Sequence, residues 1–242
     1  MLPELTAEEL AGALDAVAGD VLASAGCQEP PVDALALGQA LGCQVAWDDA
    51  QSGRARLVCS RRSADVAGLI LLRHDPRIER LQWAAAHELG EVFAAQVFDR
   101  LGVDPREAPA GARERVANQL AGRLLLPTDW FAAAGRECDW DLLELKGRFG
   151  TASHELIARR MLDFAPPIVV TIFDHGRLTM RQGNAVRRPP ALSPEESACW
   201  RRVHETGQSQ RRETPELIVR GWPVHEPDWK REILRTEGTY EE

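Results

Sequence analysis

Leu10, Leu14, Val17 and Val21 recur at helical spacing behind Thr6-Ala7-Glu8-Glu9, a capping box in which Thr6 and Glu9 satisfy each other's free backbone groups. The pattern predicts a first helix, closed off by Pro30 and Pro31. Asp33 is placed to cap a short second helix, and Gly42 to stop it. The period then changes. Residues 45–47, 54–60 and 66–73 are apolar runs separated by polar, turn-forming stretches, and they read as three strands. Leu69-Ile70-Leu71-Leu72 is continuous, the pattern of a strand covered on both faces. From 81 to 101 the helical period returns through Leu81, Ala85, Leu89, Val92 and Gln96, widened by Phe93 and Val97. Another helix opens at Glu114, with Ala117, Leu120, Ala121 and Leu124 as its stripe. It stops before Pro127, whose ring disfavours a helical conformation at Leu126.

Three short helical segments follow, at 129–134, 140–148 and 154–163. The last two, joined by Phe149-Gly150-Thr151-Ala152-Ser153, resemble a helix-turn-helix carrying Arg159 and Arg160. After 165–167 the character changes. Two strands, 168–173 and 177–181, flank Asp174-His175-Gly176, a hairpin signature. Ser193-Pro194-Glu195-Glu196 is a second capping box with proline at the first helical position, and its helix runs to Gly207. Residues 208–216 read as a polar loop and 217–220 as a strand. The stretch 221–230, with Trp222, Pro223, Pro227 and Trp229, is assigned no element. The expected class is α+β. A small N-terminal sheet packs on helices within residues 1–165, which include a helical subdomain at 128–163. A hairpin–helix α/β extension occupies 166–242.

A hydrophobic fraction of 44% supports a packed core, so the chain is not disordered. The formal charge of −8 argues against a general nucleic-acid binder. Packing is therefore preferred over DNA contact for residues 141–163. Five cysteines, widely spaced and without a CxxC pair, suit reduced thiols in a cytoplasmic setting. The start, MLPELTAEEL, is not a secretory leader, and no apolar run is long enough to span a membrane.

The chemistry centres on His87-Glu88-Leu89-Gly90-Glu91. Positions four apart share one helical face, so His87 and Glu91 lie one turn above the other. Glu88 lies about 100° round the helix from His87 and can border a cation without binding it. These are the mechanics of H-E-x-x-H, in which two histidines hold zinc and the glutamate activates water. Here Glu91 replaces the second histidine. Further on come Glu114-Arg115-Val116-Ala117-Asn118 and Leu124-Leu125-Leu126-Pro127. An apolar strand, a HELGx helix, ExxAN and LLLP in this order resemble the ImmA/IrrE family of zinc metallopeptidases. The upstream Pro30-Pro31-Val32-Asp33, Leu41-Gly42 and Val45-Ala46-Trp47 fit as well, so the likeness covers roughly 10–165.

The resemblance implies a zincin-like domain. It makes His87 the first metal ligand, Glu88 the general base and Glu114 the third ligand, with Glu91 where the family has its second histidine. It also implies an edge strand that holds an extended protein substrate, and a transcriptional repressor as that substrate. One imidazole with two carboxylates still supplies the three ligands of a catalytic zinc site. The extra carboxylate weakens the Lewis acid and widens metal choice toward Mn²⁺ or Mg²⁺. For the oxyanion, the only tyrosine is Tyr240, near the C-terminus; His225, His204, His175 or an arginine are the other candidates. Ala84, Ala94, Ala95 and Gly90 leave room near the His87/Glu91 face for a metal or for a closely packed helix. Two functions fit this reading: a cytosolic metal-dependent endopeptidase, or a peptidase-like protein that lost catalysis and kept a binding role.

Overall fold

The computed structural model describes residues 5–59, 68–164, 166–185 and 188–238. Among them are eight helices and two sheets, the α+β class that the pattern predicts. The chain divides into two compact units, Met1–Glu137 with Gly147–Ser153, and Cys138–Lys146 with His154–Glu242. This division passes through the helical segment, whereas the sequence pattern changes at 165/166.

The first unit contains α1 (Ala7–Ser24), α2 (Ala34–Ala40), β1 (Gln44–Trp47), β2 (Ala55–Cys59), β3 (Gly68–Leu72), α3 (Ile78–Arg100), α4 (Ala112–Leu125) and α5 (Thr128–Glu137). The Thr6/Glu9 capping box opens α1. Asp33 caps α2. Gln82 of α3, itself buried, accepts a hydrogen bond from Ala34 N at 2.6 Å and donates to Asp33, which ties the start of α2 to α3. The sheet order is β1-β3-β2, with β1 parallel and β2 antiparallel to the central β3. Ile70 and Leu72 are fully buried in the helical core, while Leu69 and Leu71 are half-buried. Among the described residues the first unit's helices cover the Ile70/Leu72 side closely, while the other face is covered only in part, so the two-sided cover expected from the continuous apolar run is incomplete. The buried stripe of α3 is Leu81, Ala85, Leu89, Phe93 and Val97, and Gln96 is exposed. Residues 60–67, which hold parts of two expected strands, lie outside the described residues.

The second unit contains most of α6 (Leu142–Arg148), α7 (His154–Met161), α8 (Pro194–Thr206) and five strands: β4 (Ile168–Asp174), β5 (Arg177–Gly183), β6 (Gln210–Glu213), β7 (Leu217–Glu226) and β8 (Trp229–Gly238). The sheet is antiparallel in the order β5-β4-β8-β7-β6. The Asp174-His175-Gly176 hairpin forms, with His175 and Gly176 both at positive φ. Three strands depart from the pattern. β6 lies in the stretch read as a loop. β7 continues through Pro223, which is tolerated because β6 pairs only with Ile218–Gly221, leaving Pro223 a ladder neighbour on one side alone.

β8 escapes an apolar search because it carries Arg231, Glu232, Arg235 and Glu237, whose charges are paired instead. Glu232 is fully buried; it accepts from Trp200 Nε1 at 3.2 Å and lies 2.9 Å from His204 Nδ1 and 2.8 Å from His225 Nε2. Arg231 reaches both Asp174 and Glu155. On α7, Arg159 pairs with Glu155, and the buried Arg160 pairs with Asp163. Arg159 and Arg160 are thus engaged within the protein. Cys27, Cys43, Cys138 and Cys199 form no disulfide, and burial pushes the Cys199 thiol up to about 11. No helix of the described residues is long and apolar enough to cross a membrane.

Candidate metal centre

Two helices of the first unit build the site. On α3, His87 and Glu91 stand one turn apart and are both half-buried. On α4, Glu114 and Asn118 are likewise four apart. The helices run in opposite senses, since His87 meets Glu114 and Asn118 while Glu91 meets Arg113. They approach closely at Gly90. A Cβ added there would lie 2.4 Å from the Ala117 carbonyl oxygen and 3.1 Å from its carbon, so backbone packs on backbone. Leu120, Ala121 and Leu124 then seal α4 into the core.

This close crossing brings three groups distant in sequence into one cluster. His87, Glu91 and Glu114 each offer a ligand atom, and these atoms lie within 4.8 Å of one another. His87 Nε2 is 3.8 Å from Glu114 Oε1. Zinc bonded at about 2.0–2.2 Å holds its tetrahedral donors roughly 3.3–3.6 Å apart. The cluster is therefore of the size a single cation needs, and Glu114, the most exposed of the three, has the freedom to draw inward. Among the described residues it is the one grouping of three or more potential ligands. Glu88, half-buried beside it on α3, is not part of the donor set.

Asn118 decides which histidine nitrogen faces the cluster. Its amide nitrogen donates to Glu114 Oε1 at 3.0 Å. Its carbonyl oxygen therefore faces His87 Nδ1, at 3.1 Å. A carbonyl only accepts, so this network places the imidazole proton on Nδ1 and presents the Nε2 lone pair to the cluster. That is the tautomer a metal ligand requires, held by an outer-shell partner in the usual manner. Asn118→Ala is expected to weaken zinc binding by about 10–100-fold, read by competition with a chromophoric chelator. Unchanged affinity would remove Asn118 from the site.

The carboxylate of Glu91 is engaged as well. Arg113 Nε donates to its Oε2 at 3.0 Å, and Arg113 Nη2 donates to the Glu91 backbone carbonyl at 3.1 Å. Gly90 makes the room for a closely packed helix that the sequence predicts, whereas the roles of Asn118 and Arg113 are not evident from sequence. Two signals point toward them afterwards: Asn118 is four residues beyond a ligand, and Arg113 is a cation in a helical first turn, where acids are favoured. Three of the oxyanion candidates belong to the second unit. His204 and His225 flank Glu232, and His175 packs edge-on against Trp229, all within the second unit. Tyr240 lies outside the described residues. His74, at the turn between β3 and α3, pairs with Asp49 and stacks on Trp47.

The Peptidase M78 family model, described as the IrrE N-terminal-like domain, matches residues 39–162, just over half of the chain. The chain belongs to this family. The IrrE-like match includes β1 to β3, α3 and α4, and so every ligand of the cluster; α1 and the five-stranded sheet lie outside it. A metallopeptidase-like fold is thereby placed under the His87, Glu91 and Glu114 geometry. No curated protein matches the chain. Among solved structures, the IrrE-like chain is similar to a Mycobacterium tuberculosis transcriptional regulator, at 17% identity and a TM-score of 0.66, over 93% of this chain and 75% of that one. A likeness at that identity is one of fold.

Proposed function

We propose that this protein is a metal-dependent endopeptidase of the cytoplasm, with zinc held by His87, Glu91 and Glu114 and with Glu88 as general base. The observation that carries the reading is the convergence of those three ligand atoms, with His87 Nδ1 taken up by the Asn118 carbonyl and Nε2 facing the cluster. A divalent cation there would acidify a coordinated water and polarise a peptide carbonyl. The chain's own residues do the rest. His87 and the two carboxylates hold the cation, Asn118 keeps the imidazole in its ligating tautomer, and Glu88 takes a proton from the attacking water. We place β2 as the edge strand that receives the substrate backbone, because among the described residues it pairs with β3 alone and lies against α3. The proposed substrate is a protein, specifically a transcriptional repressor.

The test is the metal content of the purified protein beside two variants. About one equivalent of zinc is expected in the parent, with loss in His87→Ala. Zinc in Glu91→His but none in the parent would instead identify a peptidase-like protein that keeps the fold and a binding role without the chemistry.

A further inference from the structure

Arg113 occupies the first turn of α4, where unpaired N–H groups make the helix end positive and a cation is disfavoured. Its guanidinium nevertheless turns to α3 and grips Glu91 twice, at the carboxylate and at the backbone carbonyl. Arg113 is largely exposed, so the ion pair itself adds little to stability. Its consequence is felt by the side chain it holds. Glu91 and Glu114 give the cluster two negative charges, where a second histidine at 91 would leave one. The two hydrogen bonds from Arg113 fix the direction of the carboxylate that Glu91 adds.

We propose that Arg113 is a positioning residue of the metal centre, which orients Glu91 toward the cation. This rests on the metal-centre reading above. Two opposed effects follow from removing Arg113. Loss of a nearby positive charge alone would draw a cation in, but that charge is exposed and screened. Loss of both hydrogen bonds frees Glu91 outright, and that effect prevails.

Cobalt(II) titration of the full chain tests this, because it reads affinity and, through the visible d–d bands, the ligand field at once. Arg113→Ala is expected to weaken cobalt binding about tenfold and to shift the bands. In a Glu91→His background the same substitution should change affinity by no more than about twofold and leave the bands in place. An equal loss in both backgrounds would show that Arg113 acts on the fold and not through Glu91, and would overturn the proposal. Unchanged or tighter binding in Arg113→Ala would overturn it too. A parent that binds no cobalt overturns the metal-centre reading along with this one; a parent that binds cobalt without the coupling overturns this one alone.

Discussion

Gly90→Ala is expected to abolish tight metal binding and to destabilise the protein, although alanine is the better helix former. In a helix interior alanine is favoured over glycine by about 1 kcal/mol. Overpacking costs about 1–3 kcal/mol, and the upper end applies here because the obstacle is the Ala117 backbone, which cannot rotate aside. The net loss is then about 2 kcal/mol. To restore an ordinary contact, α4 must retreat by about 1 Å from the 2.4 Å approach, and it carries Glu114 and Asn118 with it. Zinc affinity should fall on the order of a hundredfold. Thermal denaturation of the metal-free protein and zinc competition read the two effects separately. Gly12→Ala on α1 is the control, since a Cβ there meets nothing within 4 Å; it should gain stability and leave zinc binding alone. A Gly90→Ala protein with the parent's zinc affinity would show that the close crossing of α3 and α4 does not set the site.

Glu88→Gln is expected to lower hydrolysis of fluorescently labelled casein by about 10²–10⁴-fold while zinc content stays at the parent level. The two readouts separate because Glu88 is not among the clustered ligands. Glutamine keeps the size and the half-buried setting of the side chain and removes its charge and its capacity to take a proton. Zinc lost together with activity would make Glu88 a ligand, and full activity would exclude it as the base. Casein is a generic probe, so this experiment addresses chemistry and leaves the identity of the natural substrate aside.

Much of the local structure is legible residue by residue. The Thr6/Glu9 capping box, the Asp33 cap, the arrest of α4 before Pro127 and the Asp174-His175-Gly176 hairpin each depend on neighbours within a few positions, and each forms as read. β8 was not legible. Its buried Glu232 finds His204 and Trp200 some thirty residues away, and no local pattern distinguishes such a carboxylate from one in solvent. The exposed Gln96 marks the same limit on α3, where a stripe drawn by spacing runs beside the one that packing selects.

What this sequence determines by itself is a shared helical face for His87 and Glu91, and another for Glu114 and Asn118, because four-residue spacing is a property of a single helix. Whether the two faces meet is decided in three dimensions. Gly90 against Ala117 sets how near they come, Asn118 then chooses the histidine nitrogen, and Arg113 turns the added carboxylate. Each of these is a contact between side chains or backbone on different helices. Such contacts depend on the distance between helix axes, which no periodicity along one chain segment encodes.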